Sequence, residues 1–227
     1  MMTLLVDPAP LEAPRFEAMR HAMVASQLRT NAVNDPRVVT AMSLVPREVF
    51  LPTEHRALAY RDTLLPLGNG RQHNAPLVIG RLLTESVLQP TDHVLVVGAA
   101  GGYAAALLAQ LVQSVVALEE EPALAAIARG GLAGSANVEL VQGPLNAGWA
   151  ARAPYDLIVI DGAVEELPQT IIDQVKQGGR IATGIIDRGV TRLAIGRRSE
   201  GGFGLVDFMD IEVATLPGFE KPRKFTF

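Results

Sequence analysis

Leu95-Val96-Val97-Gly98-Ala99-Ala100-Gly101-Gly102-Tyr103 is the stretch with the clearest structural signal, because an apolar run ends in a glycine-rich turn and an alanine-rich amphipathic stretch follows at once. About twenty residues later a second apolar run ends in Glu119. A strand, a glycine-rich turn, a helix and a second strand tipped by a carboxylate form half of a nucleotide-type site, in which the carboxylate accepts ribose hydroxyls. Two simpler interpretations stay open. The turn can be a bare strand-to-helix connection, and Glu119 can be a solvated acid before the helix start at Pro122, where acids suit the helix dipole.

Downstream of His93, short apolar runs alternate with helical stretches, which predicts an α/β fold with a doubly wound parallel sheet. The predicted strands are residues 94–97, 115–118, 138–141, 157–160 and 180–186, and the predicted helices are 103–112, 122–132 and 167–177. Gly178-Gly179 is interpreted as the stop of the last helix. Residues 193–198 and 205–213 flank a Ser-Glu-Gly-Gly turn, which indicates an antiparallel hairpin at the end of the sheet.

The region before the sheet is predicted to be mostly helical. Residues 1–14 contain three prolines and are expected to be a flexible leader without the basic segment of a signal peptide. Helical spacing covers residues 16–30, and Asp35-Pro36 is a typical N-cap and first position of a second helix. Residues 60–72 are expected to form a loop, and Pro76 opens a third helix.

Composition narrows the class of protein. The chain has 227 residues, 48% of them hydrophobic, which suffices for one α/β domain with an N-terminal extension. It contains no cysteine, which excludes disulfides, thiol nucleophiles and cysteine-ligated metals. A net charge of −4 argues against nucleic acid as the main partner. No apolar run approaches the roughly 20 residues that span a bilayer. We therefore expect a cytoplasmic protein without a membrane partner; the oligomeric state is left open.

Three polar residues are candidates for chemistry. Asp161 follows the predicted strand 157–160, and ligands of open α/β sheets bind at the carboxyl ends of the strands. Asn74 and His73 precede the helix that opens at Pro76, where Asn74 can bind a substrate and His73 can carry a proton. For each, the alternative is a structural role: capping or loop bonding for Asp161, and a helix-entry turn for the other two. No metal-binding spacing of histidines occurs, so no metal is predicted.

Motifs along nearly the whole chain are similar to those of the protein-L-isoaspartate O-methyltransferase family. They include Met23-Val24-Ala25-Ser26-Gln27-Leu28-Arg29, Val45-Pro46-Arg47-Glu48-Val49-Phe50-Leu51-Pro52, Leu65-Pro66-Leu67-Gly68, Gln177-Gly178-Gly179-Arg180 and Leu216-Pro217-Gly218. The resemblance implies the class I S-adenosylmethionine methyltransferase fold, a Rossmann-like sheet with an antiparallel last strand. It also implies an N-terminal helical extension over residues 1–90, packed on a methyltransferase-like domain over residues 91–227.

The resemblance further implies which residues hold S-adenosylmethionine and its product, S-adenosylhomocysteine. Carried over by position, these are Gly98, Ala99, Ala100, Gly101, Gly102, Glu119, Glu120, Pro144 and Leu145. The chain departs from the family pattern at four functional positions. Asn74 stands in place of a serine, Val96 in place of an acid, Ala100 in place of a glycine and Pro144 in place of an aspartate.

Three functions are therefore weighed. The first is methylation of an isoaspartyl carboxylate in proteins or peptides, with S-adenosylmethionine as donor. The second is methylation of a different small acceptor, for which Asp161 and His73 serve as bases. The third is a non-catalytic descendant that keeps the fold as a binding protein, which the four departures favour.

Overall fold

The computed structural model describes residues 15–221, so the leader predicted over residues 1–14 lies outside the described residues. Its α-helices are α1 (Phe16–Met23), α2 (Pro36–Leu44), α3 (Pro76–Glu85), α4 (Tyr103–Ala109), α5 (Pro122–Gly131) and α6 (Gln169–Ile172). The helix predicted over residues 16–30 is continuous but changes type, because α1 passes into a π-helical turn (Val24–Leu28) and then a 3₁₀ turn (Arg29–Asn31). None of the helices in the described part is long and apolar enough to cross a membrane.

The centre of the fold is a seven-stranded sheet, whose strands are β3 (His93–Val97), β4 (Ser114–Glu119), β5 (Val138–Gln142), β6 (Tyr155–Val164), β7 (Val175–Asp187), β8 (Val190–Ser199) and β9 (Gly202–Asp210). They lie in the order β5-β4-β3-β6-β7-β8-β9. The pairs from β5 to β7 are parallel, and β8 and β9 are antiparallel. This confirms the predicted class, including the terminal hairpin. The chain order reverses at β3, between β4 and β6, and such a switch point is where open α/β sheets bind ligands.

The central strand β3 is buried on both faces. Val94 and Val96 face one core and Leu95 and Val97 the other, as the two-residue period of a strand requires. The first core also contains the apolar residues of α1 to α3, so the N-terminal elements cover that face of the sheet. Burial on both faces explains the unbroken apolar run of the sequence. The division into units at residue 90 stays a prediction.

The loop predicted over residues 60–72 was wrong in part. Its second half forms a small antiparallel hairpin of β1 (Leu65–Gly68) and β2 (Arg71–His73). Gly68 and Gly70 have φ values of +87° and +73°, which explains why glycine flanks the exposed tip at Asn69. The hairpin is short, and its two strands show too little alternation to be distinguished from a loop by sequence pattern.

The helix predicted over residues 167–177 was also wrong, because α6 ends at Ile172 and β7 begins at Val175. Gly178-Gly179 therefore lies inside a strand and not at a helix end. Nη1 of Arg198 donates to the carbonyl oxygens of Ile172 (3.2 Å), Asp173 (2.9 Å) and Val175 (2.6 Å), which satisfies the end of the short helix. The Arg198 side chain comes from β8, so this termination depends on tertiary contacts that local propensity does not contain.

Candidate functional site

The glycine-rich turn joins β3 to α4 at the switch point of the sheet. Gly98 (φ +75°) and Gly102 (φ +100°) adopt left-handed conformations, and so does Ala100 (φ +50°). A side chain in this region costs about 1–2 kcal/mol, so Ala100 is held there by its surroundings. The backbone N–H of Ala100 donates to Oε2 of Glu119 at 2.6 Å. The turn therefore presents its backbone to the carboxylate that ends β4.

Glu119 is fully buried and its carboxylate is saturated with protein donors. Its Oε1 accepts from Nη1 of Arg71 at 2.6 Å and from the backbone N–H groups of Glu120 and Glu121, both at 2.9 Å. Its Oε2 accepts from Nη2 of Arg71 at 3.0 Å, besides the bond from Ala100. The two oxygens thus hold five donors, and no acceptor position is open to a ribose hydroxyl in this arrangement.

Arg71 is the site residue that sequence reasoning missed. It lies on β2, is only 5% exposed, and forms a two-pronged ion pair with Glu119, which is 48 positions away in the sequence. A single arginine in a glycine-containing segment carries no local signal of such a partner. A buried acid at the end of β4 calls for a partner, but the sequence does not say which cation supplies it.

The C-terminal segment covers the turn from the side of the second core. A Cβ on Gly98 would lie 2.9 Å from Cδ1 of Leu216, and one on Gly162 would lie 2.4 Å from its Cγ. Leu216 is itself 2% exposed. The segment is anchored to β6, because the Ala163 N–H donates to the Ala214 carbonyl at 2.7 Å and the Leu216 N–H donates to the Ala163 carbonyl at 3.0 Å. Leucine therefore fills the space that the glycines leave open.

Asn74 and Asp161, two of the predicted catalytic residues, are brought together. Nδ2 of Asn74 donates to Oδ1 of Asp161 at 2.8 Å, and Oδ1 of Asn74 accepts from the Ala214 N–H at 2.8 Å. Asp161 lies inside β6 and not after it, at the register irregularity between Val159 and Ala163. Burial raises the pKa of Asp161, against the lowering effects of Asn74 and the nearby arginines. At a given pH, the neutral form of Asp161 is therefore more favoured than that of an exposed aspartate.

His73 lies apart from this pair, although it adjoins Asn74 in the chain. Its ring meets the ring of Tyr103 edge-on, with centroids 5.9 Å apart, and it is 3% exposed. Within residues 15–221 neither ring nitrogen has a hydrogen-bond partner. Burial, together with the positive charge of Arg47, lowers the pKa of His73 well below its ordinary value of 6.5. The imidazole is therefore neutral, and its proposed proton transfer stays a prediction.

The remaining predicted cofactor residues flank the end of β4. The Gly143 N–H donates to the Glu119 carbonyl at 3.3 Å, which places the segment with Pro144 and Leu145 beside the acid. Pro144 and Glu120 are exposed, whereas Leu145 is buried in the second core. Gly101 and Ala99 are both buried at the turn. The cofactor roles of these residues stay predictions.

In this structure the chain's own side chains occupy the position at which the family pattern places the ribose of S-adenosylmethionine. Glu119 has no free acceptor position, and the free face of Gly98 is filled by Leu216 and by Arg71, whose Nη2 would lie 3.6 Å from a Cβ at position 98. Val96, which replaces an acid in the family pattern, is fully buried in the first core and offers no charge. Arg71 and Leu216 thus occupy the space beside Glu119 and Gly98 in this arrangement.

Comparison with known proteins identifies the family. The family model described as "Protein-L-isoaspartate(D-aspartate) O-methyltransferase (PCMT)" matches residues 19–210. The chain is 38% identical over 217 residues to "Protein-L-isoaspartate O-methyltransferase 1" of Rhodopseudomonas palustris, covering 94% of this chain and 89% of that one. It is 36% identical over 202 residues to the protein of the same kind from Methylorubrum populi, covering 88% of this chain and 95% of that one.

Two solved structures have a similar fold. One, a protein-L-isoaspartate O-methyltransferase, gives a TM-score of 0.76 at 24% identity over 88% of this chain and 66% of the other. The second, a putative enzyme of that kind from Plasmodium falciparum in complex with S-adenosyl-L-homocysteine, gives 0.75 at 17% identity over 90% and 99%. At these identities the likeness concerns the fold. With the family model and the sequence relatives, it confirms the resemblance of the motifs: the chain belongs to the protein-L-isoaspartate O-methyltransferase family.

Proposed function

We propose that this chain is an S-adenosylmethionine-dependent O-methyltransferase that methylates isoaspartyl carboxylates in proteins or peptides. The observation that carries the proposal is identity of 38%, over 94% of the chain, to a relative named for this activity. The Plasmodium falciparum fold neighbour, solved with S-adenosyl-L-homocysteine, supports the same donor. The partner is then a protein or peptide bearing the altered residue.

The chemistry asks little of the acceptor end of the site. A carboxylate is already a nucleophile, so placing it correctly supplies most of the acceleration, and no base has to remove a proton. Asn74 acts here as a positioning residue, because its amide joins Asp161 to the backbone of Ala214. Because burial raises the pKa of Asp161, its negative charge is less favoured than that of an exposed aspartate, which reduces the repulsion of an anionic substrate.

A second candidate is a non-catalytic family member that acts as a binding protein. The observation that favours it is the saturation of Glu119 by Arg71 and three backbone N–H groups. In that case the fold and its core persist, while the nucleoside site is filled by the protein's own side chains. Activity measurements separate the two candidates.

The test is transfer of labelled methyl groups to an isoaspartyl peptide. The matched control is the same peptide with an ordinary aspartyl linkage. The proposal expects label in the isoaspartyl peptide alone, released as methanol by mild base because the product is an ester. No incorporation above the control, by protein shown to be folded, contradicts the proposal and favours the binding protein.

A further inference from the structure

We propose that Arg71 is an internal occupant of the ribose position on Glu119, so that any nucleoside must displace this side chain to enter the site. The inference rests on the proposed function for the identity of the ligand, an S-adenosyl nucleoside. It goes further than that function because Arg71, which lies outside the glycine-rich turn, would control access to the turn.

The ion pair between Arg71 and Glu119 has the geometry of a full bidentate guanidinium–carboxylate interaction. Two parallel N–H···O bonds of 2.6 and 3.0 Å join the planar guanidinium to the two carboxylate oxygens. The side chains are 5% and 0% exposed, so water screens the pair little. Guanidinium and carboxylate match in this two-pronged form better than any other pair of side chains. A ribose diol would use the same two oxygens, so both cannot bind at once.

The guanidinium also fills space, besides satisfying charge. Its Nη2 would lie 3.6 Å from a Cβ at position 98, in the same space that Leu216 approaches to 2.9 Å. A glycine at this position ordinarily lets a ligand approach the backbone closely. Here the approach is made by side chains of the chain itself. The pair therefore blocks the turn sterically and also makes the Glu119 carboxylate unavailable to a ribose hydroxyl.

The element that carries Arg71 is attached to the same acidic segment at a second point. Nδ2 of Asn69, at the hairpin tip, donates to Oε2 of Glu121 at 3.0 Å. Gly68 and Gly70 flank that tip, and no atom lies within 4 Å of where a Cβ on either would be. The tip is exposed, whereas Leu65 and His73 at the base of the hairpin are buried, so withdrawal of Arg71 from Glu119 requires movement of the tip and of the Arg71 side chain only. Access to the site thus depends on one hairpin.

The consequence is a lowered apparent affinity for nucleoside. A ligand that binds only when Arg71 is withdrawn has its affinity reduced by the fraction of molecules in that state. Replacing Arg71 by a neutral side chain raises this fraction. The substitution is therefore expected to strengthen binding, whereas loss of an ordinary binding-site arginine weakens it.

The experiment is calorimetric titration of S-adenosylhomocysteine into the wild type, Arg71→Gln and Arg152→Gln. Arg152 forms a comparable two-pronged pair with Glu139, but that pair is exposed, so it is a matched control. We expect Arg71→Gln to bind at least about tenfold more tightly than the wild type and Arg152→Gln to bind as the wild type does. If Arg71→Gln binds no more tightly than the wild type, whether both bind or neither does, the inference is wrong.

Two further measurements distinguish a misfolded variant from a failed inference, and the inference from the proposed function. If thermal unfolding shows that Arg71→Gln is not folded, Arg71→Lys keeps the positive charge but cannot make both bonds in the plane. A gain in its affinity supports the inference, and its absence overturns it. Methyl transfer by the same proteins tests the proposed function alone. An Arg71→Gln variant that binds tightly without transferring methyl groups upholds the role of Arg71 and contradicts the activity.

Discussion

The backbone carbonyl of Phe50 lies against Gly101 so closely that a Cβ at position 101 would be 1.9 Å from the carbonyl oxygen. Phe50 belongs to the N-terminal 3₁₀ segment Arg47–Phe50, and Gly101 to the turn after β3. The glycine in this motif is therefore required by a contact inside the protein. Its requirement does not depend on a bound ligand.

Replacement of Gly101 by alanine is expected to destabilise the protein strongly. Backbone atoms cannot yield as a flexible side chain does, so the loss should exceed the roughly 1–3 kcal/mol of ordinary overpacking. Urea unfolding measures it. Gly130→Ala is the matched control, because Gly130 lies in α5 with nothing within 4 Å of the added Cβ. That control should be neutral or slightly stabilising, and equal effects of the two variants would contradict the argument.

Ala100→Gly is expected to stabilise the protein, although glycine usually does the reverse. Relief of the left-handed conformation at φ +50° returns about 1–2 kcal/mol, and the added freedom of the unfolded chain costs about 0.5–1 kcal/mol. The midpoint of thermal unfolding should rise by about 2–4 °C per kcal/mol gained. Ala126→Gly, on the exposed side of α5, should lower it. A fall in both variants would refute the prediction.

Glu119→Gln is expected to lower the free energy of unfolding by about 3–5 kcal/mol, because it leaves the buried Arg71 charge without its partner. The amide also turns a donor toward groups that are themselves donors. Urea unfolding measures the loss. Glu139→Gln breaks the exposed pair with Arg152 and should leave stability nearly unchanged. If the two variants lose comparable free energy of unfolding, burial of Glu119 does not increase the contribution of its ion pair to stability.

His73→Leu is expected to make stability less dependent on pH on the acid side. In the folded protein the pKa of His73 lies well below its ordinary value of 6.5, so this side chain binds more protons in the unfolded chain. The wild type therefore loses stability as the pH falls below about 6.5. Neither ring nitrogen has a partner in the described structure, so leucine removes no hydrogen bond. The advantage of the variant should grow from pH 7 to pH 5 in urea unfolding. A constant difference would contradict the neutral imidazole.

Asp161→Asn is expected to keep methyl transfer to an isoaspartyl peptide within about tenfold of the wild type. The substitution preserves an oxygen for the Asn74 amide, and a carboxylate acceptor needs no general base. Loss of a general base ordinarily costs about 10²–10⁴-fold. A loss of that size in the labelled-methyl assay, from a variant that unfolds like the wild type, would favour the small-acceptor hypothesis instead.

Sequence pattern was sufficient for the parts of the fold that local rules control. The apolar runs of β3, β4 and β6 are buried on both faces, so their composition is unbroken and recognisable. The N-cap at Asp35 is confirmed, because its side chain accepts from the Arg37 N–H at 2.8 Å. The parallel class of the sheet, its terminal antiparallel hairpin and the position of the glycine-rich turn follow from such signals.

Long-range partners were beyond the reach of the same reasoning. Arg71 meets an acid 48 residues away, and Arg198 ends α6 from a strand that follows it in the chain. The sequence predicted that Glu119 would end a strand beside the turn, which the structure shows. It could not predict that the carboxylate would be filled, because the donor lies on a hairpin with no distinct pattern of its own.

The bond between Asn74 and the backbone of Ala214 spans 140 residues. During synthesis the first of these residues leaves the ribosome long before the second exists, and domains fold only as their segments emerge. The side chain of Asn74 can therefore form this hydrogen bond only after residue 214 has been synthesised. Premature termination between residues 211 and 213 would leave every strand of the sheet in the chain and still remove Leu216 from Gly98. A segment translated after all the strands of the sheet is thus the one that packs against the glycine-rich turn.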